Sequence, residues 1–185
     1  MAKKPSSAAI SIVSMLLTLL LTVHSASAQT IVLIRHGEKP KKGDNLSCRG
    51  VNRSLALVDV LHTRFGIPEA IFVPSMSRKD NTKHSRMFQT ILPFASKYNL
   101  PVNSEFRVAD APAVAGAARK KTGVVIIVWE HSQLPEIARS LGVESTSLDW
   151  SDDDYDSIWI VTYKHNKAQL ERSAEGIQPS KKCPE

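Results

Sequence analysis

Cysteine is scarce in this chain. Cys48 and Cys183 are its only two, no spacing of Cys with His matches a zinc site, and nothing around Cys48 marks a thiol nucleophile. A strong charge of one sign is missing too. Lys and Arg number 24 against 18 Asp and Glu, and without Lys3 and Lys4 of the leader the balance is 22 against 18. That mild excess gives no argument for nucleic-acid binding. No internal repeat, linker composition or second-domain boundary shows in the sequence. The longest apolar run, Ala8 to Val23, covers about 16 residues with several Ser and Thr, short of the roughly 20 that a membrane-spanning helix needs.

That run has a different use. Lys3 and Lys4 precede it and Ala26-Ser27-Ala28 follows it, the layout of a secretory signal peptide cleaved after Ala28. No cysteine lies near that point, so a lipid-modified N-terminus has no support. The expectation is an exported chain, periplasmic or secreted, without stable membrane insertion after cleavage. Residues 29–185 are then one domain, long enough for a full core. In an oxidising compartment Cys48 and Cys183 are free to bond, tying the C-terminal tail to the first helix. Such a bond closes a long loop, worth roughly 3–5 kcal/mol on the chain-entropy model.

Ile31-Val32-Leu33-Ile34 runs into Arg35-His36-Gly37-Glu38 with no polar alternation, which predicts a strand buried on both faces and ending at a charged loop. Ser47 caps a helix over 48–64 whose Val51, Leu55, Leu57, Val58 and Leu61 fall mainly on one face, and Gly66 stops it. A short strand over 70–73, a long polar loop and a helix over 84–98 follow; Pro93 bends that helix or marks its last turns. Pro101 to Phe106 reads as a weaker strand, and Asp110-Ala-Pro starts a helix ending near Lys121. Val124 to Trp129 is the clearest strand, followed by a helix over 134–141 with Gly142 as its stop. An acidic loop, 151–156, leads into a strand over 157–163, which His165-Asn166-Lys167 turns back into another at 168–172. From Gly176 the tail is polar and loosely held. Strand alternating with helix predicts an α/β fold, a three-layer sandwich with a mostly parallel central sheet, helices on both faces and an antiparallel edge hairpin near the C-terminus.

Two strands end alike, at Arg35-His36 and at Glu130-His131. Ligands of open α/β sheets sit at the carboxyl ends of strands, so parallel, central placement brings both histidines out together. The helix beginning near Arg86 also follows a strand and starts from that same side. Gly37 lets the backbone come close to whatever His36 faces. Two histidines, two arginines and a helix N-terminus around one cavity suit a tetrahedral dianion. Lys39, Lys41 and Lys42 after the first strand, with Arg78, Lys79 and Lys83 after the second, would attract an anionic small molecule.

On these residues the chain resembles the histidine phosphatase superfamily, whose best-known members are the phosphoglycerate mutases. Arg35-His36-Gly37-Glu38 is similar to that family's first-strand motif, and Leu46-Ser47-x-x-Gly50 to its Leu-Thr-x-x-Gly helix start. Arg86-x-x-Gln89-Thr90 is similar to its Arg-x-x-Gln-Thr, and His131 to its second histidine. The four stand in the family's order and span residues 31 to about 163.

The resemblance implies that His36 attacks phosphorus to give a phosphohistidine, which water then hydrolyses. Arg35 and Arg86 would clamp the non-bridging oxygens, and His131 would donate a hydrogen bond that strengthens as charge develops. Glu38, Ser132 and His84 are the further substrate-binding candidates. No metal or other cofactor is implied, since the cationic side chains neutralise the phosphoryl group. In the mutase-like branch the proton donor is a carboxylate beyond the Arg-x-x-Gln-Thr helix; Asp110 is preferred, Glu105 is the alternative, and helix capping is the structural use of Asp110. The other branch has an Asp directly after the second histidine, where this chain has Ser132. Two more departures stand out: eleven positions separate Ser75 from Arg86 where the family has a shorter gap, and Glu130 stands where members commonly have Gly.

The expected function is a metal-independent phosphatase hydrolysing a small phosphate ester, with that substrate or inorganic phosphate as its ligand and no nucleic-acid partner. The alternative is a non-catalytic relative binding a phosphorylated or otherwise anionic ligand. A third, weaker reading is an envelope interaction module whose basic loops meet anionic polymers.

Overall fold

A run of β-branched residues with no polar side is satisfied at the centre of a sheet covered on both faces. Thr30–Arg35 (β1) and Val124–Trp129 (β3) fit that description and lie side by side, parallel, from Thr30 opposite Val124 to Arg35 opposite Trp129. The computed structural model describes residues 29–76 and 82–184; the leader expected over 1–28, and Arg78 and Lys79, lie outside the described residues. Ala70–Phe72 (β2) extends the sheet parallel to β3. Ser157–Lys164 (β4) and Lys167–Ala174 (β5) form an antiparallel hairpin on the other side, giving the order β2-β3-β1-β4-β5. The parallel core and the antiparallel C-terminal hairpin follow the expectation. β4 runs antiparallel to β1 with Ile158 opposite Ile34, which delivers the loop at 151–156 to the end of β1.

Four helices are described: Cys48–Phe65 (α1), Ser85–Lys97 (α2), Ala111–Arg119 (α3) and Leu134–Ser140 (α4). Alternate residues of a strand face opposite sides. Val32 and Ile34 pack with Leu57 and Leu61 of α1 and with Met87, Ile91 and Phe94 of α2. Ile31 and Leu33 pack with Val114 and Ala118 of α3 and with Leu134 and Ile137 of α4. Burying one such aliphatic or aromatic side chain contributes about 1.5–3 kcal/mol, so these two clusters hold the helices to the sheet. Ser47 caps α1 by accepting the Gly50 N–H at 3.2 Å, and Gly66 ends it in the left-handed region at φ 70°.

Two local expectations are corrected. Pro101 to Phe106 is not a strand; Asn103 alone bridges Phe72, its N–H donating to Ile71 O and its carbonyl accepting from Val73 N–H. Pro101 has no N–H to give a ladder, and Asn103, Ser104 and Glu105 are exposed. The tail, in turn, is not loose. Cys183 is bonded to Cys48, and Asn52 Nδ2 donates to the carbonyls of Ser180 and Lys182 at 2.9 and 2.6 Å. The Ile177 N–H donates to the Asp156 carboxylate at 3.2 Å. A polar tail that reads as solvated finds its partners on α1 and at Asp156. Among the described residues no helix is long and apolar enough to cross a membrane.

Candidate active site

The His36 N–H donates to Trp129 O at 3.2 Å, carrying the β1–β3 pairing one step past β1. The chain then turns onto the first turn of α1 at very close range. A Cβ on Gly37 would lie 2.9 Å from Gly50 O, and one on Gly50 would overlap the Glu38 backbone; glycine at both positions permits this contact. Ser47 donates through N–H and Oγ to Glu38 O at 2.9 and 3.0 Å. From α2, Thr90 Oγ1 accepts the Gly37 N–H at 2.8 Å and donates to Arg86 O at 2.7 Å. Gln89 Oε1 accepts the Leu46 N–H at 2.9 Å, and its Nε2 donates to Asn45 Oδ1 at 2.8 Å. The motifs at 35–38, 46–50 and 86–90 are thus parts of one clasp that fixes His36.

His36 is 3% exposed, and its Nδ1 lies 2.7 Å from Gly37 O. A carbonyl only accepts, so Nδ1 carries the hydrogen and Nε2 keeps a free lone pair. Burial pushes the imidazole down to about 3; the Gly37 carbonyl opposes this, and the nearby Arg86, Arg35 and Lys39 charges reinforce it. A neutral ring with an open nitrogen is the form a nucleophile requires.

Arg35 is buried, and its Nη1 donates to the carbonyls of Ser151, Asp152 and Asp154 at 3.3, 2.6 and 3.0 Å. Its guanidinium lies 3.8 Å above the Tyr155 ring, which also meets the His36 ring edge-on at 6.1 Å between centroids. Arg86 Nη1 donates to Gly43 O at 3.3 Å. His131 Nε2 lies 2.6 Å from Asp152 Oδ1, so Asp152 touches both Arg35 and His131. Among the described residues, four buried side-chain polar atoms have no hydrogen-bond partner, and three are Arg35 Nε, Arg86 Nε and His131 Nδ1. A buried donor left unpaired costs about 1–3 kcal/mol. Three of the four thus sit on residues expected at the site, Arg35, Arg86 and His131.

The remaining expected residues fall elsewhere. Glu38 is not turned to a ligand: Arg53 holds both its oxygens, Nε on Oε2 at 3.0 Å and Nη2 on Oε1 at 3.1 Å, and Arg49 adds 3.1 Å to Oε1. Arg53 also donates to Glu175 Oε2 at 2.5 Å. Despite burial, hydrogen bonds and charge from Glu38 and Glu175 hold Arg53 above its ordinary value. Burial pushes Glu175 up to about 7 against the pull of Arg53, and the nearby Asp156 and Glu38 charges add to the rise.

Asp110 is paired through both oxygens with Arg107 at 2.9 and 3.1 Å. That hydrogen-bonded contact lowers its pKa, and an acid kept ionised has no proton to give. Its side chain makes no capping bond; its backbone carbonyl accepts from Ala113 and Val114 instead. Glu105 is exposed at the sheet edge beside the carboxyl end of β2, between Asn103, which bridges Phe72, and Phe106, whose carbonyl accepts the Ser75 N–H. Ser132 is exposed. His84, in the left-handed region at φ 68°, places Nδ1 3.2 Å from Glu130 Oε1. The unexpected glutamate thus reaches across to the start of α2.

Asp152 and Tyr155 are the site residues that sequence reasoning missed. The acidic run 152–154 was visible as a loop; the signal that it belonged here was its charge, opposite to that of the arginines and lysines expected around His36. Among the described residues, no group of three His, Cys, Asp or Glu side chains is placed to hold a metal ion.

The architecture, a parallel core continued by antiparallel C-terminal strands with helices packed on it, is in keeping with the phosphoglycerate mutase-like fold. Solved structures of histidine phosphatase superfamily members share it. The protein histidine phosphatase SixA, complexed with tungstate, superposes with a TM-score of 0.56 at 14% identity, covering 79% of this chain and 97% of its own. A mycobacterial glucosyl-3-phosphoglycerate phosphatase with inorganic phosphate gives 0.52 at 14% identity, covering 78% and 95%. Phosphoserine phosphatase from Entamoeba histolytica, in complex with phosphoserine, gives 0.53 at 11% identity, covering 80% and 97%. No family model matches the sequence, and no curated protein matches it. At these identities the likeness establishes the fold.

Proposed function

We propose that this chain is a metal-independent phosphatase that hydrolyses a small phosphate ester through a phosphohistidine on His36. The observation that carries this is the buried, neutral His36 ring, with Nε2 free, among three buried nitrogens that lack acceptors. A phosphoryl group supplies those acceptors: Arg35 Nε and Arg86 Nε meet its non-bridging oxygens, and His131 Nδ1 meets it from the end of β3. Two guanidiniums neutralise the dianion, the work a metal does in other phosphatases. Ligands named for the structural neighbours, phosphate, tungstate and phosphoserine, are of the same kind. Export, with cleavage after Ala28, is part of the proposal and is supported by the leader's composition and by a disulfide suited to an oxidising compartment.

The test is labelling with a generic 32P-phosphate ester, quenched in alkali. Wild-type protein should trap acid-labile, base-stable label, and His36→Ala should lose both label and turnover. A protein that binds phosphate with the wild-type site yet never labels or turns over would be the non-catalytic binder instead.

A further inference from the structure

An alkyl phosphate releases a poor leaving group, which needs a proton as the P–O bond breaks. Asp110 is held ionised on Arg107, and Ser132 offers no acidic proton. The contact between His131 and Asp152 is of another kind. A carboxylate only accepts, so the 2.6 Å separation from Asp152 Oδ1 puts a hydrogen on His131 Nε2. Nδ1, buried and without a partner, is then the ring atom left for the substrate.

Asp152 is held in place by a built loop. Its backbone carbonyl shares Arg35 Nη1 with those of Ser151 and Asp154, and Tyr155 stacks under the same guanidinium. The Asp154 carboxylate accepts the N–H groups of Asp156 and Ser157 at 3.0 and 2.9 Å, and Trp150 Nε1 donates to Asp154 O at 3.0 Å. The buried arginine beside the nucleophile thus fixes the backbone that carries the carboxylate to His131.

Building on the phosphatase reading, we infer that His131 is the proton donor to the leaving group and that Asp152 is the positioning residue that orients it and pairs its charge. The geometry is that of a carboxylate behind a working imidazole. In the first step His131 starts as the imidazolium, with Nε2–H on Asp152 and Nδ1–H towards the substrate; the His36 Nε2 lone pair bonds to phosphorus, the P–O bond to the leaving group breaks, and that oxygen takes the proton from His131 Nδ1. In the second step His131 Nδ1 takes a proton from the attacking water, the P–N bond breaks, and phosphate leaves with both histidines restored. Nε2–H stays on Asp152 throughout. Glu130 is the competing acid, but its Oε1 is engaged by His84.

The experiment compares leaving groups in the mature chain. Asp152→Asn should lower kcat/KM, which reports the leaving-group step and not the shared hydrolysis of the phosphohistidine, for glycerol phosphate by more than about thirtyfold and for p-nitrophenyl phosphate, whose leaving group departs without a proton, by less than about threefold. Asp152→Glu should recover most of the glycerol phosphate rate. Equal losses on both esters overturn the inference, as does a gain on either, which would make the carboxylate a blocker of the site. A steep leaving-group dependence in Glu130→Gln and not in Asp152→Asn also overturns it. In these three outcomes the His36 label persists and the phosphatase reading stands; a wild-type chain with neither label nor turnover ends both.

Discussion

At the scale of single residues, His36 depends on contacts that do not touch its ring. Gly37 and Gly50 allow the loop after β1 to lie against α1, and Gly50→Ala would drive a methyl group into the Glu38 backbone. Such overpacking typically costs about 1–3 kcal/mol. Gly50→Ala should therefore lower the urea midpoint and reduce phosphohistidine labelling together, whereas Gly116→Ala, on the exposed side of α3, would place its Cβ in open space and should spare the label. The grouping of Arg35, His36, Arg86 and His131 was legible because strand ends and a helix start gave them a common side. Glu38 was not. Its partner Arg53 reads as an ordinary helix residue, and the cluster is completed by Glu175, 122 positions further on. A motif residue's side-chain direction depends on such distant charges, which spacing along the chain does not reveal.

At the scale of elements, the direction of β4 matters most for the site. Because β4 runs antiparallel to β1, its entrance and the loop at 151–156 arrive beside His36. Apolar runs revealed β1, β3 and β4 plainly, since residues buried on both faces leave a pattern that polar interruption would spoil. Pro101 to Phe106 misled because its scattered apolar residues pack at the rim without forming a ladder. The tail misled because, apart from the Cys48–Cys183 bond that the sequence allowed, its anchors are backbone groups, and those carry no sequence signature. Its hold is testable. Cys48→Ser with Cys183→Ser should cost roughly 3–5 kcal/mol in urea unfolding at neutral pH. Protection of the 177–183 amides in hydrogen exchange should fall with it.

At the scale of the whole molecule, two buried groups oppose each other in acid. His36 is lowered from 6.5 to about 3, so its contribution to stability is present above pH 6.5 and is lost as pH falls towards 3. Glu175 is raised from 4.5 to about 7, so its contribution is present below pH 4.5 and is lost as pH rises towards 7. Each slope is about 1.4 kcal/mol per pH unit, with opposite sign, between pH 4.5 and 6.5. Glu175→Gln should uncover the His36 slope, so that unfolding free energy rises with pH across that window. His36→Ala should uncover the reverse. Urea titrations at pH 4.5, 5.5 and 6.5 read both, and parallel profiles for the two variants would exclude this balance.

The bond between Cys48 and Cys183 also makes most of the polypeptide a covalent ring. A protease making one cut anywhere inside that ring opens it without freeing a fragment. Nicked protein would migrate near full mass on a gel until a reductant is added, and only then separate into two pieces.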